Sequence, residues 1–146
     1  MADPSPPEGV VEVTPKLKLR EFTESAVDSI IHFQILELED QLYVWIGSGG
    51  ARMESLHTAM MTKFDNLPVV ATHFGEGAVG DGAALAQRLS KKTGKAVSVS
   101  CSLPPNTPLL QAVAEKRLIK ELTQPTQAAD PQPPSENTET ASNNAQ

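Results

Sequence analysis

The chain has 146 residues, 39% of them hydrophobic, and a net charge of −6 from 18 acids and 12 bases, a length that suits one domain rather than two. All twelve Lys and Arg lie between Lys16 and Lys120, and the twelve acids of residues 16–123 balance them, so the centre lacks the basic surface that duplex nucleic acid demands. A single cysteine excludes an internal disulfide and fits a reducing compartment, and no apolar run approaches membrane-spanning length.

Residues 1–15 and 124–146 hold eight of the twelve prolines, six of the acids and almost no large apolar side chain. Such composition cannot offset the entropy of ordering, so both ends are expected to be disordered, leaving one domain over 16–123. The Pro-rich acidic start is unlike a signal peptide. The expected setting is the cytoplasm, with the nucleus also open to so small a protein.

Lys18 to Phe22 alternates weakly and reads as a first strand. The next stretch, IHFQILELEDQLYVWIG at 31–47, reads as a β-hairpin turning at Glu39-Asp40. That register places Leu36 opposite Tyr43, Gln34 opposite Trp45 and Ile35 opposite Val44. One face then carries Ile31, Phe33, Ile35, Leu42, Val44 and Ile46; the other carries His32, Gln34, Leu36, Leu38, Tyr43 and Trp45. A half-solvated sheet shows a plainly polar outer face. This hairpin requires cover on both sides, and its second face has the composition of a protein–protein interface.

After Gly47-Ser48-Gly49-Gly50, residues 51–64 fit two patterns. Met53, Leu56, Met60 and Phe64 have helical spacing, whereas Leu56 to Thr62 also alternates as a strand. Asp65-Asn66 turns the chain into a strand over Pro68–Phe74, and a Gly-rich loop spans Gly75–Gly82. Asp81 is the expected N-cap of a helix reaching Thr93, with Leu85 and Leu89 inward, Lys91 and Lys92 in the last turn, and Gly94 at the C-cap. Lys95 to Ser102 alternates as a strand, which makes Cys101 a buried, inert thiol beside Val97 and Val99. Thr107 as N-cap and Pro108 at the first helical position begin a final helix ending near Thr123, with Leu110, Ala114, Leu118 and Leu122 as its apolar ladder. The expected fold is α+β: a mainly antiparallel sheet of five to six strands, two helices on one face, and an open face used for dimerisation.

Enzyme-like motifs fail on their missing parts. Gly75-Glu76-Gly77-Ala78-Val79-Gly80 matches G-x-G-x-x-G between a strand and a helix. However, Glu76 and Asp81 repel phosphate, and the strand ending at Ser102 delivers no acid for a ribose. A connecting loop is the preferred reading; a nucleotide-binding enzyme using 75–82 is the alternative. Gly47-Ser48-Gly49 is not a nucleophile elbow. His57 and His73 face each other if residues 56–62 pair with 68–74, but two histidines without further ligands make no zinc site. No catalytic residue, metal or cofactor is expected.

Four segments together, HFQILELEDQLYVWIG (32–47), MMTKFDNLPVVATHFG (60–75), LAQRLSKKTGKAVSVS (85–100) and EKRLIKEL (115–122), resemble the proteasome assembly chaperone 4 family. The resemblance covers roughly residues 28–123 and implies a small non-enzymatic protein built on an antiparallel sheet with helices. It favours strand over helix for Leu56–Thr62. It also implies a heterodimer with assembly chaperone 3 that helps order α-type subunits into the ring of the 20S core particle. The face argument supplies the expected contact residues: Leu36, Tyr43 and Trp45 as anchors and Gln34 for polar fit. The basic end of the first helix, with Arg88 and Lys91, is the candidate second surface, for an α-type subunit. Neither nucleic acid nor membrane is an expected partner.

Overall fold

The computed structural model describes residues 7–75 and 81–124. Among them are strands β1 (Lys18–Ala26), β2 (Ser29–Glu37), β3 (Gln41–Gly47), β4 (Leu56–Met60), β5 (Val69–Phe74) and β6 (Ala96–Ser102). Helices α1 (Asp81–Thr93) and α2 (Pro108–Thr123) complete the fold. Of the ends expected to be disordered, residues 1–6 and 125–146 lie outside the described residues, and residues 7–15 are exposed and form neither helix nor strand.

The strands form one sheet in the order β1-β2-β3-β6-β4-β5. Every neighbouring pair is antiparallel except β3 and β6, which run parallel. The sheet is therefore mixed, because β4, β5 and α1 together make the crossover that parallel strands require.

The hairpin register agrees with the sequence reading: Gln34 pairs with Trp45, Ile35 with Val44 and Leu36 with Tyr43. Leu38 N–H donates to Gln41 O at 2.9 Å, closing a two-residue turn at Glu39-Asp40. Neither turn residue has a positive φ, so the turn forms without the left-handed pair that Asn-Gly would supply. Residues 51–64 form a strand, not a helix, but only over Leu56–Met60.

The first strand is longer than expected. It continues from Phe22 to Ala26 and turns tightly through Val27-Asp28 into β2. Polar Glu21, Thr23 and Ser25 on its open face weaken the alternation that marks strands. Val27 adopts φ 49°, a left-handed conformation that crowds a β-branched side chain.

The core lies between one face of the sheet and both helices. Ile31, Phe33, Ile35, Leu42, Val44, Ile46, Val97 and Val99 point inward against Leu85, Leu89, Leu110, Ala114 and Leu118. Helix α1 ends as expected at Gly94, where φ 69° and an N–H bond to Ser90 O form the left-handed cap. Two predicted caps differ. Asp81 is itself the first helical residue, and its carboxylate accepts from Gln111 Nε2 at 2.5 Å. The Thr107 hydroxyl turns back to donate to Pro104 O and leaves the start of α2 to Pro108.

Charged side chains fasten α2 over β1. Arg20 bonds the Glu37 carboxylate and the Glu121 carbonyl. Arg117 pairs with Glu24 at 2.8 Å and Glu121 at 2.9 Å, and lies 5.0 Å above the Phe22 ring. Phe22 in turn stacks on Phe33 with centroids 4.8 Å apart.

Leu118→Ala, at the fully buried position of the α2 ladder, is expected to cost about 2–5 kcal/mol in urea unfolding through transfer and cavity effects. Val27→Asn, which tolerates the left-handed turn, is expected to raise stability by about 1 kcal/mol in the same assay.

Candidate functional site

Because side chains alternate, the sheet face opposite the helices is built from the residues between those of the core. Successive strands contribute Leu19, Leu36, Tyr43, Ser98, Thr58 and Ala71 to one cross-strand row. Glu21, Gln34, Trp45 and Ser100 share the adjacent row. The structure thus brings together Gln34, Leu36, Tyr43 and Trp45, the four residues singled out on the hairpin. Gln34 Nε2 donates to Glu21 Oε1 at 2.8 Å, which orients its amide across β1 and β2.

Neither helix shelters this face. Tyr43 and Trp45 are nevertheless only half-exposed, because residues 51–53 fold back across them as a strap. The Trp45 indole N–H donates to Arg52 O at 2.8 Å, and the Tyr43 hydroxyl lies 4.0 Å from Met53 Sδ. Ser102 Oγ donates to the same Arg52 carbonyl, tying the strap to β6. Gly47 is required beside the indole, since a Cβ there would lie 2.5 Å from the ring. Burial raises the Tyr43 pKa, so its hydroxyl stays a neutral donor.

Between the strap and β1 lies an open groove of about 740 Å³, lined by Glu21, Gln34, Tyr43, Trp45, Arg52 and Met53 among others. Leu19 and Ile30 are exposed on the same face beyond it. Sequence reasoning missed the strap and these outer residues. Met53 did stand out as apolar, but in a segment whose period was ambiguous; the extension of β1 that carries the face past Thr23 left almost no periodic signal.

The basic end of α1 is on the opposite side of the sheet from Trp45. Arg88 is not free there: its guanidinium binds both Glu115 carboxylate oxygens at 2.5 and 2.8 Å and clamps α1 to α2. Lys91 and Lys92 are exposed beyond that clamp. The structure therefore separates Arg88 and Lys91 from the hairpin residues as a second location.

His57 and His73 do not face each other as expected. A bulge in β5 pairs His57 with Thr72, turning His57 into the core, where its Nδ1 lies 3.0 Å from Thr72 Oγ1. His73 meets Thr58 Oγ1 at 2.9 Å on the open face. Burial, then the nearby His73 charge, lowers the His57 pKa. Cys101 is only half-buried, but burial still raises its pKa, as does Asp81, against a lowering from the Leu103 backbone N–H. The net shift favours the protonated thiol over the thiolate. The centre of the Gly-rich loop, residues 76–80, lies outside the described residues.

This architecture is one already seen in solved structures. Its sheet and helices match a chain of the crystal structure of a chaperone complex for yeast 20S proteasome assembly. The TM-score is 0.51 at 11% identity, with 72% of this chain and 91% of the other covered. At that identity the likeness establishes the fold.

Sequence comparison narrows the class. The chain is 30% identical over 106 residues to mouse proteasome assembly chaperone 4, covering 73% of this chain and 85% of the mouse protein. It is 29% identical to the human protein over 113 residues, covering 77% and 91%. A family model for proteasome assembly chaperone 4 matches residues 30–103. The chain belongs to the proteasome assembly chaperone 4 family.

Because the folded state holds His57 neutral, the stability this provides is present above the ordinary histidine value of 6.5 and lost as pH falls below it. The urea midpoint is expected to drop between about pH 7.5 and about pH 5.5, and His57→Asn, which cannot gain the charge, to drop less over that interval.

Proposed function

We propose that this chain acts by binding alone: it pairs with assembly chaperone 3, and the pair guides α-type subunits into the ring of the 20S core particle. The reading is supported by family membership and by one structural observation. A cross-strand platform of Leu36, Tyr43 and Trp45 lies on the sheet face that neither helix covers. Aromatic anchors beside a groove are the usual centre of a binding hot spot. Gln34, already oriented by Glu21, offers a polar contact at the edge of that centre.

Pairing through this face has a clear energetic basis. It removes the partly exposed indole, phenol and neighbouring aliphatic groups from water, at about 25 cal/mol per Å² of apolar area. The strap at 51–53 already fixes the rings, so little rotamer freedom is lost when a partner arrives. The α-type subunit then occupies a different part of the molecule, toward Lys91. Release requires no nucleotide, since a later subunit competing for the same surface suffices. The setting proposed for this work is the cytoplasm, with access to the nucleus.

Co-expression with assembly chaperone 3 tests the reading. The double change Tyr43→Ala, Trp45→Ala is expected to abolish co-purification, each truncation costing about 2 kcal/mol or more at a hot spot. Undiminished pairing would remove this face as the interface.

A further inference from the structure

The turn joining β4 to β5 holds the most exposed large apolar side chain among the described residues. Phe64 is 99% exposed, and Met60, Met61, Leu67 and Val69 around it are each 41–54% exposed. Exposed apolar residues clustered in this way mark interaction sites on soluble proteins. The tip is also anchored from behind. Asp65 Oδ1 accepts from the Leu67 N–H at 3.1 Å, and the carbonyl of fully buried Pro68 accepts from Gln87 Nε2 of α1 at 2.9 Å. Phe64 is thus presented on an ordered turn while touching little of its own domain.

The position of the turn separates it from the Trp45 face. Strand β5 lies three places along the sheet from β3, about 14 Å at the usual strand spacing. A partner seated over β1, β2 and β3 leaves the turn free.

Charge near the turn indicates what fits it. Lys63 flanks Phe64, and Lys91 follows Gln87 by four residues, so it stands on the same flank of α1 as the side chain that secures the turn. Asp65, the acid within the turn, commits one carboxylate oxygen to the Leu67 N–H, so the two lysines outnumber it. The matching surface is an apolar pocket with an acidic rim. A lipid surface fits less well, since Lys63 and Lys91 are only two cations and do not make the polybasic face that anionic headgroups need.

We infer that the β4–β5 turn, with Phe64 as anchor and Lys63 and Lys91 beside it, is where this chain holds a proteasome subunit. The inference rests on the proposed chaperone function and assigns its second partner to a defined place. A partner pocket that closes over Phe64 gains an ordered aromatic ring at low conformational cost, as hot-spot residues do.

The test uses the full chain co-expressed with assembly chaperone 3 and challenged with purified α-type subunits. Phe64→Ala is expected to lower subunit retention at least tenfold, with the companion chaperone retained and the melting temperature unchanged. The inference is overturned if Phe64→Ala holds subunits as well as the parent, or if it sheds the companion too. It is equally overturned if Phe64 is instead needed for binding to phosphatidylserine-containing vesicles or for self-association of the parent. If the parent itself retains no α-type subunit, the proposed function fails and the inference with it; that outcome differs from the others in the behaviour of the parent.

Discussion

Strand β3 is apolar on both sides, and a single layer of helices covers only one of them. Leu42, Val44 and Ile46 are sealed beneath α1 and α2, while Tyr43 and Trp45 emerge on the opposite face. The parallel pairing of β3 with β6 fixes this arrangement, because it places the hairpin at the centre of a six-stranded sheet instead of at its edge. The loop that leaves β3 must then cross to β4 beyond β6, and in doing so it forms the strap over Trp45. Core, groove and strap all follow from one strand with two apolar faces.

The second constraint is how α2 is held. Its apolar ladder is short, and its outer edge relies on Arg117 and Arg20 reaching the carboxylates and carbonyl of β1, β2 and α2 itself. These pairs are partly buried and share partners, a setting in which ion pairs contribute more than isolated surface ones. With Arg88 and Glu115 bridging the helices, the cover over the core behaves as one connected layer. The open face therefore sits on a rigid support.

Much of this was legible in the residues. The hairpin register followed from strict alternation in 31–46 and a two-residue turn, and both helices were framed by Asp81, Gly94 and Pro108. What escaped has physical causes. The end of β1 carries polar residues on its open side, and its turn uses Val27, which no turn preference would select. The bulge that turns His57 inward adds one residue to β5 and leaves no compositional mark. The strap depends on a backbone carbonyl, that of Arg52, and backbone acceptors are invisible to any pattern of side chains. The hairpin half of the candidate surface was thus readable, and its rim was not.

Trp45 is the sole tryptophan of the chain, and its indole is half-exposed, with its N–H committed to the Arg52 carbonyl. Under excitation selective for tryptophan, the ultraviolet emission therefore originates from one ring on the open side of the sheet. Any event that dries, wets or displaces that ring changes the colour of the signal, whereas events confined to the helical layer leave it alone. The protein carries its own optical probe at the centre of the sheet face that the helices leave open.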